Sequence, residues 1–361
     1  MLQRHFENIE DPREAGKVDH NLLEIIVMTI CAVISGCEYW EDIADFCAVK
    51  SLWFKEKMGL ELKNGVASHD TFQRVFQLLD PAEFERCFLS WIGEVAQKTA
   101  GEIVSIDGKT ARGSRNAKSK AIHMVSAWAN VNQLVLGQVK VDDKSNEITA
   151  IPTLLDALDL NGCIVTIDAI GCQKEIARQI VEKGADYVLA LKKNQENLHA
   201  YVCNYFTFFA PSQATSTRET GHGREETREY FLETDIDWMP DRLDWKGFAG
   251  IGMARSTVNS KGKTREETRY FITSLTDVNE FARAVRSHWG IENSLHWVLD
   301  VVFREDANRT RKDHSAENFA VVRRIALNIL KHFPVKMSLA RKRRKCEYDA
   351  EFMADVLLSA I

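Results

Sequence analysis

No two of the eight cysteines in this chain stand at C-x-x-C or any other paired spacing, which excludes a disulfide framework and a cysteine zinc site. They read as reduced thiols. Met1-Leu2-Gln3-Arg4-His5-Phe6-Glu7 carries no signal-peptide pattern, so a cytoplasmic protein is expected. Bilayer-length apolar runs are missing too. Leu22 to Cys37 contains Glu24 and is too short to span, so it reads as a buried helix, with no membrane partner. Nor is there an excess of positive charge: the formal net charge is −5. That does not exclude nucleic acid, because a local basic face matters more than the sum. Internal repeats and low-complexity segments are absent. What remains is an ordinary globular composition, 45% hydrophobic and 27% charged, in 361 residues. This length holds about two or three domains and a sizeable core.

Apolar spacing predicts helices through residues 1–98, at Leu22–Cys37, Trp40–Val49, Phe72–Leu79 and Phe84–Val95. Asp70 with Gln73 resembles an N-cap pair, and Pro81 suits a first helical turn. The pattern changes near residue 102. Strands are predicted at Glu102–Asp107, Ala121–Asn130, Leu134–Val141, Cys163–Asp168 and Tyr187–Leu191. Helices are predicted between them at Glu147–Leu158 and Gln173–Lys183, and after them at Gln195–Phe208. The fold class is α/β, a mixed sheet with helices on its faces. Residues 212–276 read as a mostly β insertion, with segments Thr227–Glu233, Gly247–Asn259 and Glu266–Leu275. Helical pattern returns at Val278–Val302 and Ala316–His332. A basic run, Arg341 to Lys345, precedes a last helix at Asp349–Leu358.

Two near-copies carry the chemistry. Val104-Ser105-Ile106-Asp107 and Val165-Thr166-Ile167-Asp168 each end an apolar strand in an aspartate. Right-handed crossovers place those strands side by side. Either aspartate alone fits a turn or a helix cap. A third acid, Glu292, falls within the apolar arc of Val285, Trp289, Leu295, Leu299 and Val302 at about 100° per residue. A carboxylate there must be paired, hydrogen-bonded or metal-bound. An ion pair with an arginine is the plainer alternative. Two strand-end carboxylates and one helix carboxylate suit two divalent ions for phosphodiester chemistry, and hard oxygen ligands favour Mg2+ or Mn2+. His288 and His296, four residues either side of Glu292, leave zinc open as a lesser alternative.

At these residues the chain resembles the H-repeat-associated transposases, which are DDE insertion-sequence transposases. The matching blocks are Ser105-Ile106-Asp107-Gly108-Lys109, Thr166-Ile167-Asp168-Ala169-Ile170-Gly171-Cys172-Gln173 and His288-Trp289-Gly290-Ile291-Glu292-Asn293. Ile30 to Gly36 and Ser68 to Phe72 resemble the family's N-terminal associated domain. Gly221-His222-Gly223-Arg224 resembles a block of the insertion, and Leu295 to Val302 follows the glutamate as in the family. The resemblance covers nearly the whole chain. It implies an RNase H-like catalytic core at 99–211 and 277–335, a helical N-terminal domain at 1–98 that binds DNA ends, the β insertion at 212–276 before the last catalytic helix, and a basic tail at 336–361. Asp107, Asp168 and Glu292 would be the catalytic metal ligands, of two ions by the family's pattern. The wider group often carries Tyr-x2-Arg-x3-Glu-x6-Lys; here those positions hold Val285, His288, Glu292 and Leu299. Only the glutamate is kept. Trp289 matches a residue that handles a flipped base at a hairpinned end in relatives.

The expected function is metal-dependent hydrolysis at the element's ends, then strand transfer of the 3′-hydroxyl into target DNA. An RNase H-like nuclease without strand transfer, or a catalytically silent DNA-binding descendant, are the alternatives. The partners are double-stranded DNA and further copies of the chain, at least a homodimer on DNA, with nucleoid association when bound. Basic residues expected near DNA are Lys109, Arg112, Arg115, Lys118 and Lys120; Lys174, Arg178, Lys192 and Lys193; and Arg309, Arg311, Lys312, Arg323 and Arg324. His222 and Arg224 in their glycine-flanked turn, and His288, Trp289, Asn293 and His296 beside Glu292, complete the candidate DNA face.

Overall fold

A computed structural model describes residues 2–96, 101–115, 120–142, 145–221, 223–240, 242–260 and 262–359. The N-terminal part folds into α1 (Leu22–Ile34), α2 (Trp40–Val49), α3 (Ser51–Met58), α4 (His69–Leu78) and α5 (Pro81–Val95). Helix α1 is buried nearly all round, as an apolar run without a polar face requires. Asp80 caps α5 by accepting from the Ala82 and Glu83 N–H groups, with Pro81 in the first turn. Two local expectations are corrected here. Ser68, in an extended conformation, holds the N-cap position of α4, so Asp70 lies inside the first turn. The short α3 escapes the apolar pattern because only its Phe54 is buried.

The chain then builds one sheet. Its first five strands are β1 (Ile103–Thr110), β2 (His123–Ala129), β3 (Leu134–Lys140), β4 (Ile164–Ile167) and β5 (Asp186–Leu191). The insertion adds β6 (Gln213–Gly221), β7 (Arg224–Glu233), β8 (Gly250–Ser260) and β9 (Lys263–Thr273). The order is β3-β2-β1-β4-β5-β9-β8-β7-β6, so the insertion continues the same sheet through β9. Strands β1, β4 and β5 are parallel neighbours; the remaining pairings are antiparallel. Strand β6 is an addition to the three predicted insertion segments. Its residues are largely exposed, so it shows no apolar alternation.

Helices α6 (Glu147–Ala157), α7 (Lys174–Glu182) and α8 (Glu196–Phe208) share one apolar core with the sheet. Helix α9 (Val278–Ile291) packs in a separate core that contains Ile103, Ile164 and Phe281. A Cβ on Gly252 of β8 would lie 2.3 Å from the Phe281 ring, so that glycine lets α9 approach the sheet. After α9 come a π turn at Glu292–His296, α10 (Trp297–Val301) and α11 (Ser315–His332). Helix α11 packs against α1, α4, α5 and β3, tying the N-terminal helices to the sheet.

The basic run Arg341 to Lys345 lies inside a helix, α12 (Leu339–Tyr348), ahead of α13 (Ala350–Leu358). The run still precedes the last helix, as expected, and is itself helical. Lys342 and Arg343 are buried. The Lys342 ammonium donates to the Leu330 and Phe333 carbonyls at 2.7 and 2.6 Å. Arg343 donates to the carbonyls of Val33 and Val302 and pairs with Glu38 at 2.9 Å. No helix of the described residues is long and apolar enough to cross a membrane.

Candidate active site

Strand β1 alternates between the two cores. Val104 and Ile106 pack with α6 and α7, while Ile103 packs with α9. Register pairs Ile106 with Ile167, so Asp107 and Asp168 follow directly on adjacent parallel strands. Beneath them runs a polar ladder. The Asn130 side-chain amide and the Thr166 hydroxyl both donate to Ser105 Oγ, at 2.8 and 3.1 Å. Thr166 Oγ1 also lies 2.9 Å from His288 Nδ1 on α9. Gly290 matters at this crossing: a Cβ there would stand 2.2 Å from Asn130 Oδ1. Its hydrogen lets α9 pass close over the sheet, and the chain then carries Glu292 to Asp107.

The helix does not continue regularly. The Trp297 N–H bonds the Glu292 carbonyl, five residues back, which is the π pattern. The wider turn alters the faces predicted from a regular helix. Glu292 is exposed rather than inside the apolar arc, and His296 is the buried polar residue. His296 Nδ1 lies 3.1 Å from Glu292 Oε2 and 3.6 Å from Asp107 Oδ2. Asp107, Glu292 and His296 each offer a ligand atom, all within 4.8 Å of one another. Asp168 stands beside this trio at the end of β4, outside it, and its Oδ1 accepts from the Ile170 N–H at 3.0 Å. His288 is turned to Thr166, so the two histidines do not clasp Glu292 together.

Electrostatics mark the same place. Burial pushes the Asp107 carboxyl up to about 7, with repulsion from Asp168, Glu147 and Glu292 adding to it. Burial also raises Asp168, and Glu147 adds to that. Burial lowers His288 to about 4, helped by Arg269 and His296. It lowers His296 as well, against the pull of Glu292. Crowded acids that resist ionisation, joined by an imidazole nitrogen, form an oxygen-rich donor set suited to a divalent cation.

Several candidate DNA residues occupy other roles. Lys109 is buried, with its Nζ 2.7 Å from Asp300, 3.2 Å from Asp306 and 3.5 Å from Glu305. Burial works against its charge, yet Glu305 and Asp300 hold its pKa above the usual lysine value. Lys109 therefore ties β1 to the chain after Glu292, two residues beyond Asp107, instead of facing DNA. Arg323 and Arg324 are buried beside Glu305, 4.0 and 2.8 Å away. That partner explains their burial, since charged side chains enter a core when paired.

The others are open. Arg112 is exposed, with Nε 3.6 Å from Asp306. Lys174 pairs with Asp244 at 2.7 Å on the surface. Arg224 pairs with Glu226 at 2.6 Å where β7 begins. Trp289 is 44% exposed, enough to offer a ring face, and the Arg269 guanidinium lies 4.5 Å from its centroid. The exposed Asn293 donates from its side-chain amide to the Trp289 carbonyl at 3.1 Å. Trp289, Asn293, Arg224, Arg255, Arg269 and Arg286 line a 630 Å³ groove between α9 and the insertion strands. His222 and Lys118 lie outside the described residues. Sequence reasoning missed the site's Glu147, Ser105 and Asn130. An acid at the first position of the helix after a three-strand meander was the one available signal for Glu147.

A parallel pair of strands that sets Asp107 beside Asp168, with a helix bringing a glutamate across them, is the arrangement of a mixed α/β fold of the DDE class. The chain belongs to the family described as "Transposase DDE domain", whose model matches residues 98–329. The model described as "DDE_Tnp_1-associated" matches residues 3–92. "Putative transposase YncI" of Escherichia coli O157:H7 is 43% identical over 97% of this chain and 93% of its own length. "H repeat-associated putative transposase YhhI" of Escherichia coli strain K12 is 41% identical over 99% of this chain and 97% of its own length. The predicted resemblance and α/β fold class are thus borne out.

Proposed function

We propose that this protein is the transposase of an insertion sequence. It hydrolyses a phosphodiester at each end of the element and transfers the freed 3′-hydroxyl into target DNA. The observation that carries this reading is the approach of Glu292 to Asp107 within β1, with Asp168 directly after the adjoining β4. Asp107, Asp168 and Glu292 would hold Mg2+ or Mn2+, two ions by the logic of such centres. Bound there, the ions would activate the attacking oxygen and stabilise the leaving one.

The protein's own groups set the geometry. Lys109 keeps the Glu292 segment against β1 through Asp300 and Asp306. His296, its pKa lowered by burial, remains neutral at working pH and can fix Glu292 through Nδ1. Arg112, Lys174, Arg224, Trp289 and Asn293 form the face for double-stranded DNA. The helices of 1–98 would read the element's ends, and a homodimer or larger assembly on DNA would bring two ends together.

The test is alanine replacement of Asp107, Asp168 and Glu292, one at a time, with DNA carrying the element's own flanks and Mg2+. Cleavage falls to background in all three, and the unmodified protein yields a joined donor–target product. Undiminished cleavage by any variant overturns the assignment. Cleavage without a joined product reduces the activity to that of a nuclease.

A further inference from the structure

We propose that Glu219 is a built-in stand-in for DNA phosphate. Its carboxylate sits between Arg228 and Arg286, where a backbone phosphate binds, and withdraws when DNA enters. This rests on the reading of the groove between α9 and the insertion strands as part of the DNA face, and adds Arg228 and Arg286 to that face.

Strand alternation builds the groove. Register aligns Glu219, Glu226, Val258 and Arg265 across β6, β7, β8 and β9. Two residues along the strands, the next row on the same side holds Arg228, Ser256 and Glu267. Each of these residues lines the groove. Its wall is α9, where Arg286, Trp289 and Asn293 follow at spacings of three and four, so one helix face presents all three.

On this floor two glutamates stand directly opposite each other. Glu219 of β6 faces Glu226 of β7, a like-charge pair that opposes strand pairing. Arginines offset it. Arg228 Nη1 lies 3.2 Å from Glu219 Oε2, and its Nη2 lies 2.6 Å from Glu226 Oε1. Arg286 Nη2 lies 3.5 Å from the same Glu219 oxygen. One carboxylate oxygen thus bridges guanidinium groups from β7 and α9. A phosphate oxygen can make the same bridge, because the guanidinium fork matches both anions.

Exposure decides which partner can leave. The Arg228 side chain is 15% exposed and keeps Glu226, whereas that of Glu219 is 55% exposed on the outermost strand. Glu219 can turn to water without stranding a buried charge. Until it does, it competes as an anion: the Arg228 hydrogen bond, with the charges of Arg228 and Arg286, holds its carboxyl below the usual range. DNA therefore gains the two arginines only by displacing Glu219, which loosens the grip on any duplex.

The experiment is fluorescence anisotropy of the full-length protein with a labelled duplex carrying the element's own flank, in EDTA so that none is cut. Glu219→Gln keeps the side-chain shape, removes the charge, and is expected to bind about two- to fivefold tighter. Glu266→Gln makes the same charge change on the opposite side of β9 and is expected to leave the affinity as it was. Arg286→Ala is expected to weaken binding, and to shrink the gain from Glu219→Gln when the two are combined. Far-UV circular dichroism checks that each variant keeps its fold. No tightening by Glu219→Gln, or an equal tightening by Glu266→Gln, overturns the proposal. If Arg286→Ala weakens binding in that case, only the stand-in fails; if Arg286→Ala also binds normally, the groove is no part of the DNA face.

Discussion

At the scale of single residues, the site is a place where ionisation is resisted. An Asp in an unfolded chain titrates near about 3.9, whereas Asp107 in the fold titrates at about 7. Its neutral form is favoured by folding, so its contribution is unfavourable once pH rises above the unfolded value and is fully so above about 7. In cation-free buffer the protein is therefore expected to lose stability between about pH 4 and pH 7, the window those two values span. Asp107→Asn removes the ionising group and should melt higher than the unmodified protein at the upper pH, with the difference shrinking at the lower. Millimolar Mn2+ should raise the melting temperature of the unmodified protein and leave that of the variant where it was. Thermal melts at the two pH values check all of this. The histidines act in the opposite direction. His288 is held neutral down to about 4. Its stabilisation is present above the unfolded value near about 6.5 and fades as pH falls below it.

Asp107 and Asp168 were legible in the sequence because each follows a short apolar run, and parallel register brings the two together, although β1 continues past Asp107 to Thr110 while β4 stops before Asp168. The buried charges were not legible. Lys109, Arg323, Arg324 and Arg343 owe their burial to Glu305, Asp300, Asp306 and Glu38, partners that only the tertiary fold supplies. Glu305 shows how strong that environment is. Burial works against its charge, yet Arg324, Arg323 and Lys109 hold its carboxyl down at about 2.

At the scale of elements, the π turn decides which side chains meet. A regular helix through Glu292–His296 gives the arc drawn from the sequence, with the glutamate facing inward. One extra residue per turn changes that, and no apolar periodicity announces it, since apolar and polar positions fit either geometry over so short a span. Deleting Ser294 should restore an ordinary helical turn and shift Glu292 relative to His296 by about 100°. The expected result is a folded protein, unchanged in far-UV circular dichroism, whose melting temperature no longer responds to Mn2+. An unchanged response would remove the π turn from the account of the site. Strand β6 and helix α3 went unread for a related reason: each buries too little for its spacing to show.

At the scale of the whole molecule, the N-terminal and C-terminal helices close around α11. That long-range closure could not be drawn from local pattern, which gave the helices but not their partners. Removing residues 336–361 would take away Arg343 and strand the buried Glu38 that it pairs at 2.9 Å. Breaking such a pair from one side is worth about 3–5 kcal/mol. The Val33 carbonyl would lose its partner in the same step. The truncated chain should melt well below the full one and aggregate on size-exclusion chromatography, whereas single exposed changes at Arg344 should alter neither.

The outer rim of the sheet has its own consequence. Strand β6 ends the nine-strand order, with no neighbour beyond it among the described residues, and its rungs include Arg218 and Glu219. A free rim normally invites a stray β segment to dock, and fixed charges along it discourage that. The insertion strands can thus form a long platform without that platform becoming a seed for fibrils.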